Sequence, residues 1–295
     1  MITINPDLCK KDALCVMECP VSILAMENSE SIPTLVEGGE ESCLRCGHCV
    51  AVCPHGALDH EDTPLADCPK IERDKIIDKE QVAQFLRTRR STRVFKEKVV
   101  EKETIEQLIN IARYAPTGSN LQKVEWVVFN DRDKLKEIGT IIIDWMRETI
   151  KTNPDVPPYL PRMVAAWDAG YDLILRKAPV VVLAMADKEV RNGTVDTAIA
   201  LTYLDLAAPS LGLGTCWAGI LQWAMLNCPA VKEAMGISDE YPYHYPMLLG
   251  YNKMKYHRMI ERKAPQISWR SHGKEPNFHR CCALSGYVQN FFRDL

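Results

Sequence analysis

The cysteines of the N-terminal region constrain this chain more than any other feature. Seven of its twelve cysteines fall within residues 9–53. Residues 43–54 read CLRCGHCVAVCP, which is C-x2-C-x2-C-x3-C-P. An earlier stretch at 9–20, CKKDALCVMECP, has the same frame except that Asp12 stands where the second cysteine is expected. Two copies of one cysteine frame so close together predict a small metal-binding region ahead of a larger domain.

The spacing indicates iron–sulfur clusters rather than zinc or disulfides. In a C-x2-C-x2-C-x3-C-P run, three closely spaced thiolates hold one cluster, and the cysteine before the proline holds another. Zinc sites instead use C-x2-C pairs that are separated by a longer loop. A disulfide framework fits poorly, because the chain has 295 residues and its start lacks a secretory signal pattern. We therefore expect a cytoplasmic protein that binds two clusters.

The two frames together resemble the bacterial two-cluster ferredoxins over roughly the first 60 residues. The resemblance implies crossed ligand sets. One [4Fe–4S] cluster is held by Cys19, Cys43, Cys46 and Cys49. The other is held by Cys9, Cys15 and Cys53, with its fourth corner left to Asp12. Two alternatives stay open there: Asp12 is a carboxylate ligand that completes a [4Fe–4S] cluster, or it faces solvent beside a [3Fe–4S] cluster.

After about residue 75 the pattern changes to alternating helices and strands. Apolar periodicity predicts helices at 80–90, 104–115, 132–150, 163–176, 195–211 and 228–235, and strands at 124–129, 179–186, 215–221 and 245–251. The four prolines of 153–161 predict a loop. This alternation indicates an α+β or α/β layered domain. We divide the chain into a ferredoxin-like domain at 1–75 and a second domain at 76–295.

Charge and hydropathy exclude two classes of partner. The net charge of −3 gives no general reason to expect nucleic acid or an anionic membrane. The longest apolar run, at 179–186, is far too short to span a bilayer. We expect neither a nucleic-acid partner nor a membrane partner.

Two polar stretches of the second domain have the chemistry of ligand sites. RTRRSTRVF at 87–95 carries four arginines around Ser91, and guanidinium groups bind phosphate oxygens in pairs. Its alternative explanation is a solvated basic helix end. APTGSNLQ at 115–122 presents amides that donate and accept, which suits the edge of a flavin ring. Its alternative explanation is a plain polar turn.

Two later stretches add to this set. SLGLGTCWAGIL at 210–221 is not a dinucleotide fingerprint, because Trp217 replaces the third glycine and the stretch leads into a strand. Its Gly219 lets a backbone approach a flat ligand closely. YNKMKYHRMIERK at 251–263 is a second basic cluster, for which an exposed basic turn is the plain alternative.

Taken in order over about 85–265, the four stretches resemble the nitroreductase family of FMN-binding proteins. The resemblance implies an α+β fold with a mainly antiparallel sheet wrapped by helices. It also implies an intimate homodimer with FMN at the interface, to which the apolar helix near 195–211 contributes. The implied contacts to the FMN phosphate and ribityl chain are Arg89, Arg90, Ser91 and Arg93, closed by Arg258 or Arg262. The implied contacts to the flavin are Pro116, Thr117, Ser119, Asn120, Gln122, Trp217, Ala218 and Gly219.

The two halves together predict an oxidoreductase. Clusters carry electrons singly, whereas FMN accepts one or two and releases a hydride. We expect an external donor, such as ferredoxin, to load the clusters, and FMN to reduce a nitroaromatic, a quinone or another unsaturated acceptor. No side chain stands out as a dedicated proton donor. The alternatives are an electron-transfer flavoprotein that acts on a partner protein, and an NAD(P)H-dependent nitroreductase with structural clusters.

Overall fold

The structure, a computed structural model, describes residues 1–153 and 155–270. The chain divides into two compact units, Met1–His257 and Arg258–Leu295. The boundary predicted at residue 75 lies inside the first unit and stays a prediction. In the second unit, residues 258–270 form neither helix nor strand. Among the described residues, no helix has the length and apolar character needed to cross a membrane.

The N-terminal region is built from short elements around a very small core. Strand β1 (Ile2–Ile4) pairs antiparallel with β4 (Leu58–His60), and β2 (Leu24–Ala25) pairs with β3 (Thr34–Leu35). The helices are α1 (Leu14–Glu18), α2 (Gly39–Ser42) and α3 (His48–Val52). The buried core residues are Cys15, Leu24, Cys49, Val50 and Leu58. A core this small needs additional cross-links for stability, which metal clusters supply.

An exposed connection leads into helix α4. Residues Leu65–Asp67 and Arg73–Lys75 each form a single 3₁₀ turn. Helix α4 (Lys79–Thr88) begins after Asp78, whose carboxylate accepts from the Glu80 and Gln81 N–H groups. The Gln81 side chain accepts from the Asp78 N–H in return, which completes a capping box. The segment after α4 then runs beside a strand of the large sheet, where the Thr92 N–H donates to the Thr215 carbonyl at 2.7 Å.

A four-stranded antiparallel sheet forms the centre of the rest of the first unit. Its strands are β5 (Glu125–Phe129), β6 (Val180–Ala186), β7 (Leu213–Trp217) and β8 (Tyr243–Tyr251), in the order β5-β6-β8-β7. Every residue of β6 is buried. Because successive side chains of a strand point to opposite faces, β6 contributes to two separate cores, one on each face of the sheet.

Helices cover both faces of this sheet. The helices are α5 (Lys102–Ala112), α6 (Arg132–Thr152), α7 (Tyr159–Asp168), α8 (Gly193–Ala207), α9 (Gly219–Asn227) and α10 (Pro229–Ala234). Val181 and Leu183 face the core that includes α6, α9 and α10, whereas Val180 and Val182 face the core that includes α5 and α8. The predicted α+β class with a mainly antiparallel sheet is confirmed.

Three of the predicted elements are wrong in their bounds. The loop predicted at 153–161 ends early, because α7 begins at Tyr159; Pro154 lies outside the described residues. Pro161 fits in the first helical turn, where its missing N–H has no intrahelical acceptor to lose. The helix predicted at 163–176 ends at Asp168. Its last part is a turn, because the Asp172 carboxylate accepts from the N–H groups of Ile174, Leu175 and Lys177.

The strand predicted at 215–221 is also wrong beyond Trp217. Strand β7 ends there, and Gly219 begins helix α9. A short apolar run has no periodicity that distinguishes a buried strand from a buried helix, so the change of element could not be seen in the sequence. The consequence is that Gly219 lies at a helix N terminus rather than inside a strand.

Burial of His244 makes stability dependent on pH. His244 is 7% exposed on β8, and its Nδ1 lies 3.2 Å from Gln222 Oε1. Burial, assisted by the charge of Lys232, lowers the pKa of His244 to about 4. The unfolded chain therefore binds a proton that the folded chain excludes between about pH 6.5 and pH 4. The free energy of unfolding falls by about 3 kcal/mol from this group as the pH falls through that window.

We predict that His244→Asn, which keeps an N–H donor near Gln222, flattens this part of the pH profile. Denaturant unfolding of the full-length protein between pH 7 and pH 4 measures the difference from the unsubstituted chain. His257→Asn, at an exposed histidine, is the control and leaves the profile unchanged. Equal slopes for His244→Asn and the unsubstituted chain would show that His244 does not carry this dependence.

Candidate functional site

The first cysteine frame and the second contribute to the same cavity. Cys19 from the first frame lines a cavity together with Cys43, Cys46 and Cys49 from the second, and its empty space, part of it open to solvent, is about 340 Å³. Apolar side chains such as Ile23 and Leu24 complete its wall. The structure thus brings together the first predicted ligand set. Four cysteines around one cavity form a donor set that fits a [4Fe–4S] cluster.

The other set surrounds a second cavity of the same size. Cys9, Asp12, Cys15 and Cys53 line about 340 Å³ of empty space. His55 lines it as well, and its Nε2 lies 3.5 Å from Asp12 Oδ2. The other carboxylate oxygen of Asp12 accepts from the Leu14 N–H at 3.2 Å. This donor set fits both alternatives. Asp12 lines the cavity, as a ligand of a [4Fe–4S] cluster would, and its carboxylate also has partners within the chain, as it would beside a [3Fe–4S] cluster.

Neither set of side chains is arranged around a single ion. Within residues 1–153 and 155–270, no group of three or more His, Cys, Asp or Glu side chains could hold one metal ion. A cubane cluster separates its ligands further, because each thiolate binds a different iron. Burial raises the pKa of Cys15 and raises that of Cys49 to about 11. Iron must therefore displace protons from these thiols as it binds.

The backbone repeats the same conformation in both frames. Lys11 and Ala13 flank Asp12 with φ of 60° and 59°, and Arg45 and Gly47 flank Cys46 with φ of 52° and 69°. These left-handed residues turn the chain so that alternate side chains reach one cavity. The equivalence of Asp12 and Cys46 is therefore structural as well as sequential.

The four residues predicted to bind the phosphate lie in two different places in the segment after α4. Arg89 and Arg90 line an open cavity with Thr92, Asp205 and Thr215. Ser91 and Arg93 lie instead on the side of Cys216. Burial raises the pKa of the Cys216 thiol, and the charge of Arg93 and a hydrogen bond with Ser91 partly oppose this. The structure therefore does not gather all four predicted residues around one cavity.

Arg90 is a half-buried cation, and some of its donors have no partner. Its Nη1 donates to the carbonyls of Arg87 and Arg89, at 3.1 and 2.8 Å. Its Nε and Nη2 are buried and have no hydrogen-bond partner among the described residues. A buried charged donor without a hydrogen-bond partner costs free energy, so a bound ligand with acceptor atoms would stabilise this site. Two neighbouring guanidinium donors suit the paired oxygens of a phosphate.

Asp205 is a functional residue that the sequence analysis missed. Its carboxylate is buried and lies 3.5 Å from Arg89 Nη1. The Thr215 hydroxyl donates to its Oδ1, and the Trp217 indole N–H donates to its Oδ2 at 3.2 Å. Asp205 thus holds Arg89 and Trp217 in fixed positions. The signal in the sequence is a carboxylate in the apolar second half of helix α8, since a buried charge needs such partners.

The loop at 115–122 is attached to helix α8 and to the first cavity's loop. The Gly118 N–H donates to buried Asp196 of α8 at 3.0 Å, and the Gln122 N–H donates to Thr117 Oγ1 at 2.9 Å. Asn120 Nδ2 donates to the carbonyls of Leu44 and Arg45, at 3.2 and 3.0 Å. The loop predicted to contact the flavin therefore contacts the segment between Cys43 and Cys46.

The backbone of this loop has an uncommon conformation. Ser119, Asn120 and Gln122 have φ of 51°, 55° and 52°. Non-glycine residues adopt such angles rarely, and they cluster at functional sites. Pro116 precedes this turn, and a Cβ at Gly118 would lie only 2.4 Å from Asn192 Nδ2. The loop is thus held in one shape by α8 and has little room for substitution.

The predicted flavin-lining residues lie at the junction of β7 and α9. The ring of half-buried Trp217 packs edge-on against Tyr245, with centroids 5.1 Å apart. Ala218 is buried, and Gly219 is the first residue of α9. The first N–H groups of a helix have no intrahelical acceptor, so they are available to an anion or a carbonyl. Arg258 and Arg262 belong to the second unit, and which of them reaches the phosphate stays a prediction.

Comparison with solved structures agrees with this fold. A nitroreductase with bound FMN from Bacteroides fragilis has a TM-score of 0.53 and 20% sequence identity, and the match covers 64% of this chain and 98% of that chain. A nitroreductase with bound FMN from Desulfitobacterium hafniense has a TM-score of 0.52 and 18% identity, covering 65% and 100%. At this level of identity, the likeness concerns the fold alone.

Sequence comparison identifies relatives and families. A protein described as an NADH dehydrogenase/NAD(P)H nitroreductase from Archaeoglobus fulgidus is 29% identical over 174 residues, which are 59% of this chain and 87% of the relative. A protein of the same description from Methanothermobacter thermautotrophicus is 25% identical over 148 residues, 49% of this chain and 63% of the relative. The 4Fe-4S dicluster domain matches residues 3–57, and the Nitroreductase family matches residues 86–251. Since that second match covers more than half of the chain, the protein belongs to the nitroreductase family and carries an N-terminal 4Fe–4S dicluster domain.

Proposed function

We propose that this nitroreductase-family oxidoreductase binds FMN, receives electrons through its two iron–sulfur clusters, and reduces a small electron-poor acceptor. The observation that carries the proposal is the contact of Asn120 with Leu44 and Arg45. Leu44 follows Cys43 and Arg45 precedes Cys46, so the loop assigned to the flavin touches the loop that holds a cluster. Electron transfer slows steeply with distance, so a flavin bound at this loop would be well placed to receive an electron from a cluster held by Cys43 and Cys46.

The residues around Arg90 support FMN as the second cofactor. FMN brings a phosphate, which supplies the acceptors that the buried Nε and Nη2 of Arg90 lack. Asp205 keeps Arg89 at the same cavity, so that two guanidinium groups share the anion. When bound, FMN takes up electrons singly and releases them as a hydride.

The junction of β7 and α9 supports the placement of the flavin ring. Asp205 fixes the indole of Trp217, and Tyr245 packs against it, so the aromatic wall is rigid. The α9 N terminus at Gly219 directs helix-end N–H groups toward the space beside this wall. Such donors favour negative charge that develops on a bound ring during reduction. These residues bind and orient, and a proton for the acceptor comes from water.

The remaining features of the proposal concern assembly and location. In the single chain, Val195 and Tyr203 of helix α8 are 56% and 40% exposed, although the helix is largely apolar. Such exposure supports the homodimer with FMN at the interface, because a second subunit would cover these side chains. We propose that a one-electron donor of the ferredoxin type reduces the clusters. The acceptor is a nitroaromatic, a quinone or another unsaturated compound, and the compartment is the cytoplasm.

A second candidate function is favoured by the relatives' descriptions. Both are described as NADH dehydrogenase/NAD(P)H nitroreductases, so NAD(P)H is the alternative reductant. The 174 matched residues are 87% of the A. fulgidus protein, which is therefore only about 200 residues long. This chain is longer and contains a cluster domain as well. In this alternative the clusters are structural, and electrons reach FMN without them.

We predict that Cys46→Ser slows reduction of FMN by a reduced low-potential ferredoxin at least about tenfold, because one cluster of the path is lost. Anaerobic stopped-flow absorbance, on samples with matched FMN content, measures this rate. Cys68→Ser is the control, since Cys68 is exposed and lines neither cysteine cavity. If Cys46→Ser keeps the full rate of FMN reduction, the clusters do not carry the electrons. The second candidate is correct if ferredoxin reduces FMN in neither protein while NADPH reduces FMN in Cys46→Ser as fast as in the unsubstituted chain.

We predict that the ligand sets are crossed between the two frames. Cys19→Ser and Cys46→Ser should leave the same cluster intact, because both residues line the first cavity. Cys53→Ser should leave the other cluster. Iron content and low-temperature EPR of the three reduced variants make the comparison. Matching spectra for Cys46→Ser and Cys53→Ser, with a different spectrum for Cys19→Ser, would contradict the crossed arrangement.

We predict that Arg90→Gln weakens FMN binding about tenfold to a hundredfold, the range for a lost charged hydrogen bond to phosphate. The thermal midpoint of the FMN-free protein should change little, because the loss of the Nη1 bonds to the Arg87 and Arg89 carbonyls is offset by removal of two buried donors that have no partner there. Fluorescence titration with FMN and thermal unfolding measure the two effects. The control is Arg113→Gln at an exposed arginine. Unchanged FMN affinity with a lowered midpoint would make Arg90 purely structural.

A further inference from the structure

We propose that His60 is a positioning residue that sets the reduction potential of the cluster held by Cys43. His60 lies at the end of β4, is 3% exposed, and lines the first cysteine cavity. Its Nε2 is 3.6 Å from the Sγ of Cys43. The inference rests on the cluster part of the proposed function and is independent of FMN and of the acceptor.

The hydrogen bonds of the ring fix which nitrogen carries the proton. The Asp62 N–H donates to His60 Nδ1 at 3.0 Å, so Nδ1 is the acceptor. In a neutral imidazole the other nitrogen must then carry the hydrogen, so Nε2–H is the donor that faces Cys43. The backbone of β4 holds the ring in place, since His60 pairs with Ile2 of β1. The donor is therefore preorganised toward the sulfur.

The hydrogen bond distinguishes one cluster from the other. The Cys43 sulfur also accepts from the Arg45 N–H at 3.4 Å, so it receives one side-chain donor and one backbone donor. In the second cavity, the Cys53 sulfur accepts from the Ala57 N–H at 3.3 Å, which is a backbone donor. A substitution at His60 therefore acts on one cluster, whereas backbone donors stay in place at both.

The direction of the effect follows from charge. Reduction adds one electron to the cluster and increases the negative charge on its sulfur ligands. A donor aimed at a ligating sulfur stabilises the reduced form more than the oxidised form, which raises the potential. Burial strengthens this, because a hydrogen bond is electrostatically stronger where water is excluded. Removing the donor makes the cluster held by Cys43 harder to reduce.

The test compares His60→Leu with His60→Gln in the full-length, cluster-loaded protein. Leucine removes the donor, whereas the glutamine amide places an N–H near the position of Nε2. At a fixed applied potential, His60→Leu should lower the ratio of reduced to oxidised cluster about tenfold, which for a one-electron couple is a shift of about 59 mV. His60→Gln should keep most of the original reduction potential. The couple of the cluster held by Cys9, Cys15 and Cys53 should not move in either variant.

A measurement on the unsubstituted chain keeps the proposal testable if His60→Leu does not load iron. Protein labelled with ¹⁵N-histidine, reduced anaerobically, should show a ¹⁵N coupling to the cluster in pulsed EPR. His48 lines the same cavity, so the comparison is with labelled His60→Gln. The part of the coupling that His60 contributes should be lost there, while the potential stays close to the original value. Full iron content with equal potentials in His60→Leu and the unsubstituted chain, or identical couplings in the unsubstituted chain and His60→Gln, overturns the proposal. Low iron content in the unsubstituted chain instead overturns the cluster assignment itself.

Discussion

The structure of the N-terminal region depends on cysteines that meet across two copies of one sequence frame. Its apolar core consists of few residues, and Cys15 and Cys49 are two of them. Because each cavity takes one residue from the opposite frame, Cys19 and Cys53 tie the two frames to each other. We therefore expect folding of this region to be coupled to cluster binding, as it is in small metal-dependent domains.

The same constraint fixes the loop that faces the nitroreductase domain. Cys43 and Cys46 hold the ends of a two-residue segment whose carbonyls accept from Asn120. Asn120 in turn belongs to a loop that is held by Asp196 through Gly118. Helix α8 thus contributes to both sites. Asp196 near its start holds the loop that contacts the Cys43–Cys46 segment. Asp205 near its end holds Arg89 and Trp217. Through two buried carboxylates, helix α8 keeps the cluster loop and the arginine cavity in a fixed relation.

Features that depend on the spacing of residues along the chain could be predicted from the sequence. Features that depend on contacts between distant residues could not. The resemblance of the cysteine frames to two-cluster ferredoxins predicted both ligand sets, and the residues of each set line one cavity. Apolar periodicity predicted the four strands of the large sheet and most helices. It could not separate β7 from α9, since one apolar run crosses both elements. Asp205 and His60 were missed because their partners, such as Trp217 and Cys43, are 12 and 17 residues away.

The measurement that tests the electron path most directly counts electrons in a single turnover. The protein is reduced anaerobically, freed of reductant, and mixed with excess of a two-electron quinone acceptor. If the clusters feed FMN, each chain reduces about two equivalents, one from the two electrons on FMN and one from the single electron on each cluster. The cluster EPR signals then disappear together with the second equivalent. A yield of one equivalent, with both clusters still reduced, would contradict the account.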